Sequence, residues 1–252
     1  MATQVILKEK TRGEAEVRED LAACYRLAAH YGWDDLVATH ISARVPGEDT
    51  FLINPFGMLF EEITPASLVK VDMDGEIVGH SDWGVNKAGF VVHSAVHGAR
   101  HDAECVIHLH TLDGVAVSMA EDGLLFWNQN AMMFANEVAM HDFEGVADRL
   151  DERERLVADL GPNNNLMLLR NHGTLALGPS VAEAFTAMYY FEKACQTQVR
   201  ALSMGLPLCK VSDEVVQSVA AYREGGRFPV AEPLVWPAMK RMLDRLYPDW
   251  RG

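Results

Sequence analysis

The run Glu104-Cys-Val-Ile-His-Leu-His110 constrains this chain more than any other stretch. It has the length and β-branched character of a strand, and strand side chains alternate between two faces. His108 and His110 therefore point the same way, while Cys105, Ile107 and Leu109 turn an apolar face to a core. Two imidazoles converging from one strand offer a transition metal two adjacent coordination positions. Taken alone, the pair reads equally as hydrogen-bonded core histidines.

Around this run the chain alternates helical and extended pieces. Val17, Leu21, Cys24, Tyr25, Leu27 and Ala28 recur at helical spacing from Glu14 to Tyr31. Phe51–Asn54 and Val69–Met73 are extended, the second running into an Asp74-Gly75 turn. Phe90–Arg100 and Thr111–Met119 read as helices, and Leu166–Leu169 and Thr174–Leu177 as strands flanking Asn171-His172-Gly173. Ser180-x-x-Glu183 is a capping box opening a helix that reaches about Ser203, and Leu234–Tyr247 is a last helix with Pro237 in its first turn. This order lacks the βαβ rhythm of a doubly wound sheet and predicts a layered α/β fold with a mixed or antiparallel sheet.

Composition narrows function. The 252 residues carry a net charge of −14, which argues against a nucleic-acid or anionic-membrane partner. No apolar run approaches a membrane span, and residues 1–20 lack a signal-peptide core, so the expected compartment is the cytoplasm. No linker or repeat interrupts the chain, which favours one domain over residues 1–252. Cys24, Cys105, Cys195 and Cys209 lack paired spacing and read as small buried hydrophobes. The interleaved charges of Asp148–Glu154 read as a solvated helix face.

His172 follows an apolar strand and precedes Gly173, which lets the backbone pass close to whatever the imidazole holds. A plain polar hairpin turn accounts for the same three residues.

The strings Thr39-His-Ile-Ser42, Phe51-Leu-Ile-Asn-Pro-Phe-Gly57, Phe90–His97, Arg100–His110 and Leu168-Leu-Arg-Asn-His-Gly173 resemble the class II aldolase/adducin superfamily. The likeness runs over about 21–204, leaving 205–252 as a helical C-terminal extension. It implies a three-layer α/β/α fold with a mixed, largely antiparallel central sheet, and a homotetramer with active sites between subunits. By the same likeness His108, His110 and His172 match the metal ligands of the catalytic members, implying a divalent metal, Zn2+ first with Fe2+ or Mn2+ as alternatives. Adducins keep the fold without an intact metal site.

Departures from the sugar-phosphate aldolases are equally informative. Their Ser-Ser-Glu run falls on Lys87-Ala88-Gly89, their Gly-Asn-x-Ser loop on Thr39-His40-Ile41-Ser42, their Thr-Gly pair on Phe56-Gly57, and their tyrosine proton donor near Gln129. A phosphate dianion needs several donors or cations, and only Lys87 and Ser42 are offered. The expected substrate is therefore an unphosphorylated carbonyl or carboxylic acid, met by Ser42, Phe56, Gly57 and Lys87. His40, Glu61, Glu62 and Gln129 are the candidates for a catalytic role: His40 as a substrate or metal contact or else a turn cap, Glu61 or Glu62 in place of the missing carboxylate, and Gln129 where the tyrosine would fall. Phe56, Phe60, Phe126 and Trp127 line a substrate pocket in one reading and a core or subunit contact in the other. His93 and His97 share a helical face, as supports for a ligand imidazole or as a solvated or subunit-facing stripe. The expected activity is a metal-dependent lyase. A non-haem iron(II) oxygenase on the same histidines and a non-catalytic adducin-like assembly protein are the alternatives.

Overall fold

In a computed structural model of the chain, residues 12–145, 150–222 and 228–252 are described. The first helix, α1 (Glu14–His30), buries Val17, Leu21, Cys24, Tyr25, Leu27 and Ala28, the face its periodicity marks out. The hydroxyl of Tyr25 reaches past the helix. It accepts the backbone N–H groups of Ile41 (2.7 Å) and Asn54 (3.1 Å) and donates to Asn54 Oδ1 (2.8 Å). One side chain thus pins the helix to the two strands beneath it.

Among the described residues seven strands form one sheet: β1 (His40–Arg44), β2 (Thr50–Ile53), β3 (Val69–Asp72), β4 (Cys105–Leu109), β5 (Val138–His141), β6 (Leu166–Leu169) and β7 (Gly173–Gly178). Their order is β3-β2-β1-β4-β7-β6-β5, antiparallel throughout except for the parallel pair β5–β6. The other α-helices among the described residues are α2 (Lys87–Ala99), α3 (Leu112–Ser118), α4 (Gln129–Met132), α5 (Glu152–Leu160), α6 (Val181–Ser203), α7 (Asp213–Ala221) and α8 (Trp236–Leu246).

β4 is central and shows why three layers form. Cys105, Ile107 and Leu109 enter a core shared with Leu21 of α1 and with Phe185 and Phe191 of α6. Val106 enters a second core on the opposite face, shared with Val92 and Val96 of α2 and Leu156 and Leu160 of α5. An apolar face on each side requires a helical layer on each side, each buried Leu or Val contributing about 1.5–3 kcal/mol. Against α2, His108 and His40 occupy places that an aliphatic would otherwise fill, since paired residues of neighbouring strands share a face and the register sets His40 opposite His108.

Helix boundaries follow the local signals. Ser180 Oγ accepts the N–H of Glu183 at 3.2 Å, capping α6 as the box predicts. α8 starts two residues later than its periodicity suggests, after a wide turn over Ala231–Val235 closed by Val235 N–H on the Val230 carbonyl. Pro237 has no N–H to give to the preceding turn, so regular helical bonding resumes only beyond it.

Several expectations need correction. Phe60 is fully buried, edge-on to Tyr25 at 4.6 Å between centroids, and belongs to the core rather than a substrate pocket. Glu152 is buried beside His141 and is no part of a solvated face, while Asp148 and Arg149 lie outside the described residues. Cys209 is exposed, unlike the other three cysteines. Most of the stretch read for a leader also lies outside the described residues, which begin at Arg12.

Candidate metal centre

His108 stands near the end of β4, buried to 1% exposure. Its Nδ1 lies 3.0 Å from the Thr174 carbonyl oxygen, which can only accept, so Nδ1 carries the hydrogen and Nε2 keeps its lone pair. His110 is one residue past the strand, and its Nδ1 lies 3.0 Å from a carboxylate oxygen of Asp35. In the neutral ring the same donation leaves its Nε2 bare as well. The two Nε2 atoms face each other at 3.0 Å. Two lone pairs at that distance repel unless a positive charge sits between them.

His172 supplies the third ring. β6 and β7 form a tight hairpin in which Leu169 pairs with Gly173, His172 N–H returns to the Leu169 carbonyl at 3.0 Å, and Asn171 takes a φ of +55° that asparagine tolerates. Both readings of Asn171-His172-Gly173 are therefore realised, a turn that also presents an imidazole. Ring centroids are 4.8 Å (His108–His110), 4.7 Å (His110–His172) and 4.8 Å (His108–His172), and one ring nitrogen from each lies within 4.8 Å of the others. Burial and then the nearby histidines push His108 well below the usual histidine range, and burial first, then His110, holds His172 at about 4. A neutral imidazole with a bare ring nitrogen is the protonation state a metal ligand requires. Three nitrogen donors of intermediate softness fit zinc and its first-row neighbours better than calcium or magnesium.

Gly173 makes the approach feasible. A Cβ there would fall 2.3 Å from the Leu109 carbonyl oxygen and 3.1 Å from His110 Cδ2. Beneath the histidines, Glu192 of α6 accepts hydrogen bonds from Thr111 Oγ1 (2.6 Å) and Thr174 Oγ1 (3.3 Å). These threonines sit beside His110 and supply the carbonyl for His108, so Glu192 braces both. Burial raises its carboxyl to about 7 against the lowering effect of the two hydroxyls.

A second histidine group adjoins the first. His40 lies 5.0 Å from His108 between ring centroids, and its Nδ1 meets His93 Nε2 at 2.8 Å. His93 Nδ1 meets Ser42 Oγ, Ser42 Oγ meets His97 Nε2 at 2.7 Å, and His97 Nδ1 donates to the Ala103 carbonyl at 2.9 Å. Ser42, expected to touch substrate, is instead fully buried with its hydroxyl committed between two imidazoles. His93 and His97 are fully buried too and form no solvated stripe.

The other candidates are dispersed. Phe56 is 48% exposed, Gly57 packs near Trp83, and Lys87 is the exposed first residue of α2. Glu61 and Glu62 are exposed on a single 3-10 turn packed against α1, where Glu62 caps the N–H of Leu59 at 2.8 Å. Gln129 opens α4, which packs on α6 and α7. Trp127 lines a separate cavity of about 210 Å³ with Leu208 and Cys209. Asp35 was beyond sequence reasoning, because nothing in Asp34-Asp35-Leu36 marks it as a partner of a residue 75 positions away. Glu192 left a signal: it interrupts the apolar stripe Phe185, Met188, Cys195 at helical spacing.

Comparison with known proteins agrees with this architecture. Residues 19–199 match the family model described as Class II Aldolase and Adducin N-terminal domain. A crystal structure of an aldolase II superfamily protein from Pseudomonas syringae is 48% identical, covering 96% of this chain and 98% of its own, with a TM-score of 0.90. L-fuculose 1-phosphate aldolase from Glaciozyma antarctica superposes with a TM-score of 0.80 at 26% identity, over 93% and 92% of the two chains. Alpha-adducin from Rattus norvegicus is 41% identical over 93% of this chain, which spans about a third (34%) of that protein's length. Among the described residues no helix is long and apolar enough to cross a membrane. The matched span, the sheet order and the three converging histidines lead to one assignment: this chain belongs to the class II aldolase and adducin family.

Proposed function

We propose that this protein is a metal-dependent lyase for an unphosphorylated carbonyl or carboxylic-acid substrate, acting by retro-aldol cleavage or decarboxylation, with His108, His110 and His172 as metal ligands. The observation that carries the reading is the facing pair of bare Nε2 atoms at 3.0 Å. Asp35 and Thr174 hold the two rings in the tautomer a cation needs, and such partners also raise ligand basicity. When bound, a divalent metal of the zinc type supplies Lewis acidity toward a carbonyl oxygen. His110 and His172, only partly buried, leave that side of the triad approachable by a small molecule.

Loss of phosphate ligands supports the substrate class. Ser42 is sealed in the core, and Phe56 and Gly57 occupy the places of a hydroxyl-bearing pair, leaving Lys87 as the cation on offer. Zinc as the resident metal, a cytoplasmic homotetramer and a single domain over residues 1–252 belong to the same reading. Light scattering and cell fractionation test the assembly and its compartment.

The central test is metal analysis of purified protein beside turnover of unphosphorylated hydroxy-carbonyl compounds and of L-fuculose 1-phosphate. One divalent ion per chain, lost in His108→Ala and His172→Ala variants along with turnover of the unphosphorylated compounds, is expected. Efficient turnover of the phosphorylated sugar would overturn the substrate class, and oxygen consumption during turnover would move the protein to the iron oxygenases. A second reading rests on the likeness to alpha-adducin: a non-catalytic assembly protein, in which the histidine variants would leave assembly unchanged and no turnover would be found.

A further inference from the structure

The buried chain His40–His93–Ser42–His97 is anchored at one end by a group that can only accept a hydrogen bond. The Ala103 carbonyl takes the hydrogen of His97 Nδ1 at 2.9 Å. A neutral imidazole carries one N–H, so His97 Nε2 is bare and the Ser42 hydroxyl must donate to it across 2.7 Å. That hydroxyl has no second hydrogen, so toward His93 it accepts and His93 Nδ1 donates. His93 Nε2 is then bare and receives the Nδ1 hydrogen of His40 across 2.8 Å. Reversing any link would set two lone pairs or two hydrogens against each other. Neutrality is secured by burial, with exposures of 0–3% along the chain. Burial and the Arg44 guanidinium, which donates to the His97 carbonyl oxygen, hold His97 at about 3.

The direction imposed at Ala103 thus arrives at His40 Nε2 as a lone pair, beside the metal centre. No protein donor satisfies that atom among the described residues. Gly89 lets α2 pack directly against this ring, since a Cβ there would lie 2.6 Å from His40 Cδ2 and 3.1 Å from Nε2. Gly89 is also the end of the stretch where the likeness to sugar-phosphate aldolases lacks its carboxylate.

We propose that His40 is the proton acceptor for a substrate hydroxyl at the three-histidine centre, an assignment that rests on the lyase reading above. Its Nε2 takes the hydroxyl proton, so that the O–H bond breaks as N–H forms. The freed oxygen pair closes a carbonyl, and the pair of the breaking C–C bond passes to the other, carbonyl-bearing fragment. The relay ends at a carbonyl that takes no proton and at an imidazole beside Arg44. The proton therefore has no exit through it and returns from His40 to carbon on that second fragment. One C–C and one O–H bond are lost, one C–H and one C=O π bond are gained, and no external acid is required. This favours retro-aldol cleavage of a β-hydroxy carbonyl over decarboxylation. His93, Ser42 and His97 are positioning residues that set the tautomer of His40.

Long-range ¹⁵N–¹H correlation spectra of the whole protein read the tautomers directly. His40, His93 and His97 should all carry hydrogen on Nδ1, and an Nε2–H tautomer at His40 would overturn the assignment. Added Zn2+ should shift the ligand nitrogens of His108, His110 and His172 only; a coordination shift at His40 Nε2 would make it a ligand instead of a base. With the zinc-loaded protein in D2O, hydroxyacetone should exchange its carbon-bound hydrogens. His40→Asn should slow this by about 10²- to 10⁴-fold at unchanged zinc content. Ser42→Ala should turn His40 into a tautomer mixture and slow exchange less. Exchange indifferent to His40→Asn would refute the base role. Absence of exchange in the unaltered protein, with the tautomers as stated, would refute the lyase reading and the base role with it, leaving only the polarity of the relay.

Discussion

Gly173→Ala isolates the contact on which the metal centre depends. The added Cβ would sit 2.3 Å from the Leu109 carbonyl oxygen, whereas carbon and oxygen normally approach to about 3.3 Å. The obstacle is backbone of the central strand, paired in register with β7 at Leu109–Thr174, so no side chain can rotate away. The two strands must part by about 1 Å at this point. Overpacking of a close-packed interior costs about 1–3 kcal/mol, and a weakened ladder hydrogen bond adds about 1 kcal/mol. We expect a total loss of about 2–4 kcal/mol in urea unfolding of chelator-treated protein. Gly173 does not adopt a positive φ, so the loss reports the contact alone. The same displacement moves His110 relative to His172, and metal–ligand distances tolerate only about 0.2 Å. Zinc affinity, measured against a chromophoric chelator, should fall by at least about tenfold. Gly98→Ala in α2 is the control: nothing lies within 4 Å of its Cβ, and alanine should stabilise that helix by up to about 1 kcal/mol. A Gly173→Ala protein matching its parent in both unfolding and zinc affinity would show that this approach does not hold the centre together.

Further outcomes follow from the buried charges and exposed groups. His97, at about 3 when folded against 6.5 when unfolded, keeps its full contribution above pH 6.5. Below that pH the unfolded chain takes the proton first, so chelator-treated protein should lose about 2 kcal/mol between pH 7 and pH 5 on this account, with His40 and His93 adding in the same direction. Glu192 opposes them: raised to about 7 from 4.5, it binds its proton first in the folded state and adds stability as the pH falls through 7. Glu192→Gln should therefore deepen the acid loss between pH 7 and pH 5 by about 2 kcal/mol, and urea midpoints at the two pH values that move in parallel with the parent would contradict this. Asp35→Ala should lower zinc affinity by about 10- to 100-fold with little effect on unfolding, checked by the same chelator competition. Under native conditions a maleimide should label one cysteine, Cys209, with mass spectrometry of the digest locating it.

Much of the architecture was legible in the residues alone. Period-two alternation at Cys105–His110 set the two faces of the central strand, helical spacing marked α1 and α2, and Ser180-x-x-Glu183 marked the start of α6. These are local signals: each depends on neighbours within a turn or two, where backbone geometry dictates which side chains share a face. The triad was legible through resemblance, but its working chemistry was not. Asp35 beneath His110, Glu192 bracing Thr111 and Thr174, and Ser42 sealed between His93 and His97 join residues up to 81 positions apart. Which strand pairs with which, and in what register, is decided by the packing of whole layers, and a shift of one residue would turn His40 away from His108. Spacing along the chain therefore determined which imidazoles share a face, whereas the tertiary structure alone decided which partner each ring nitrogen meets, because a hydrogen-bond donor or acceptor acquires its role only from the atom placed opposite it.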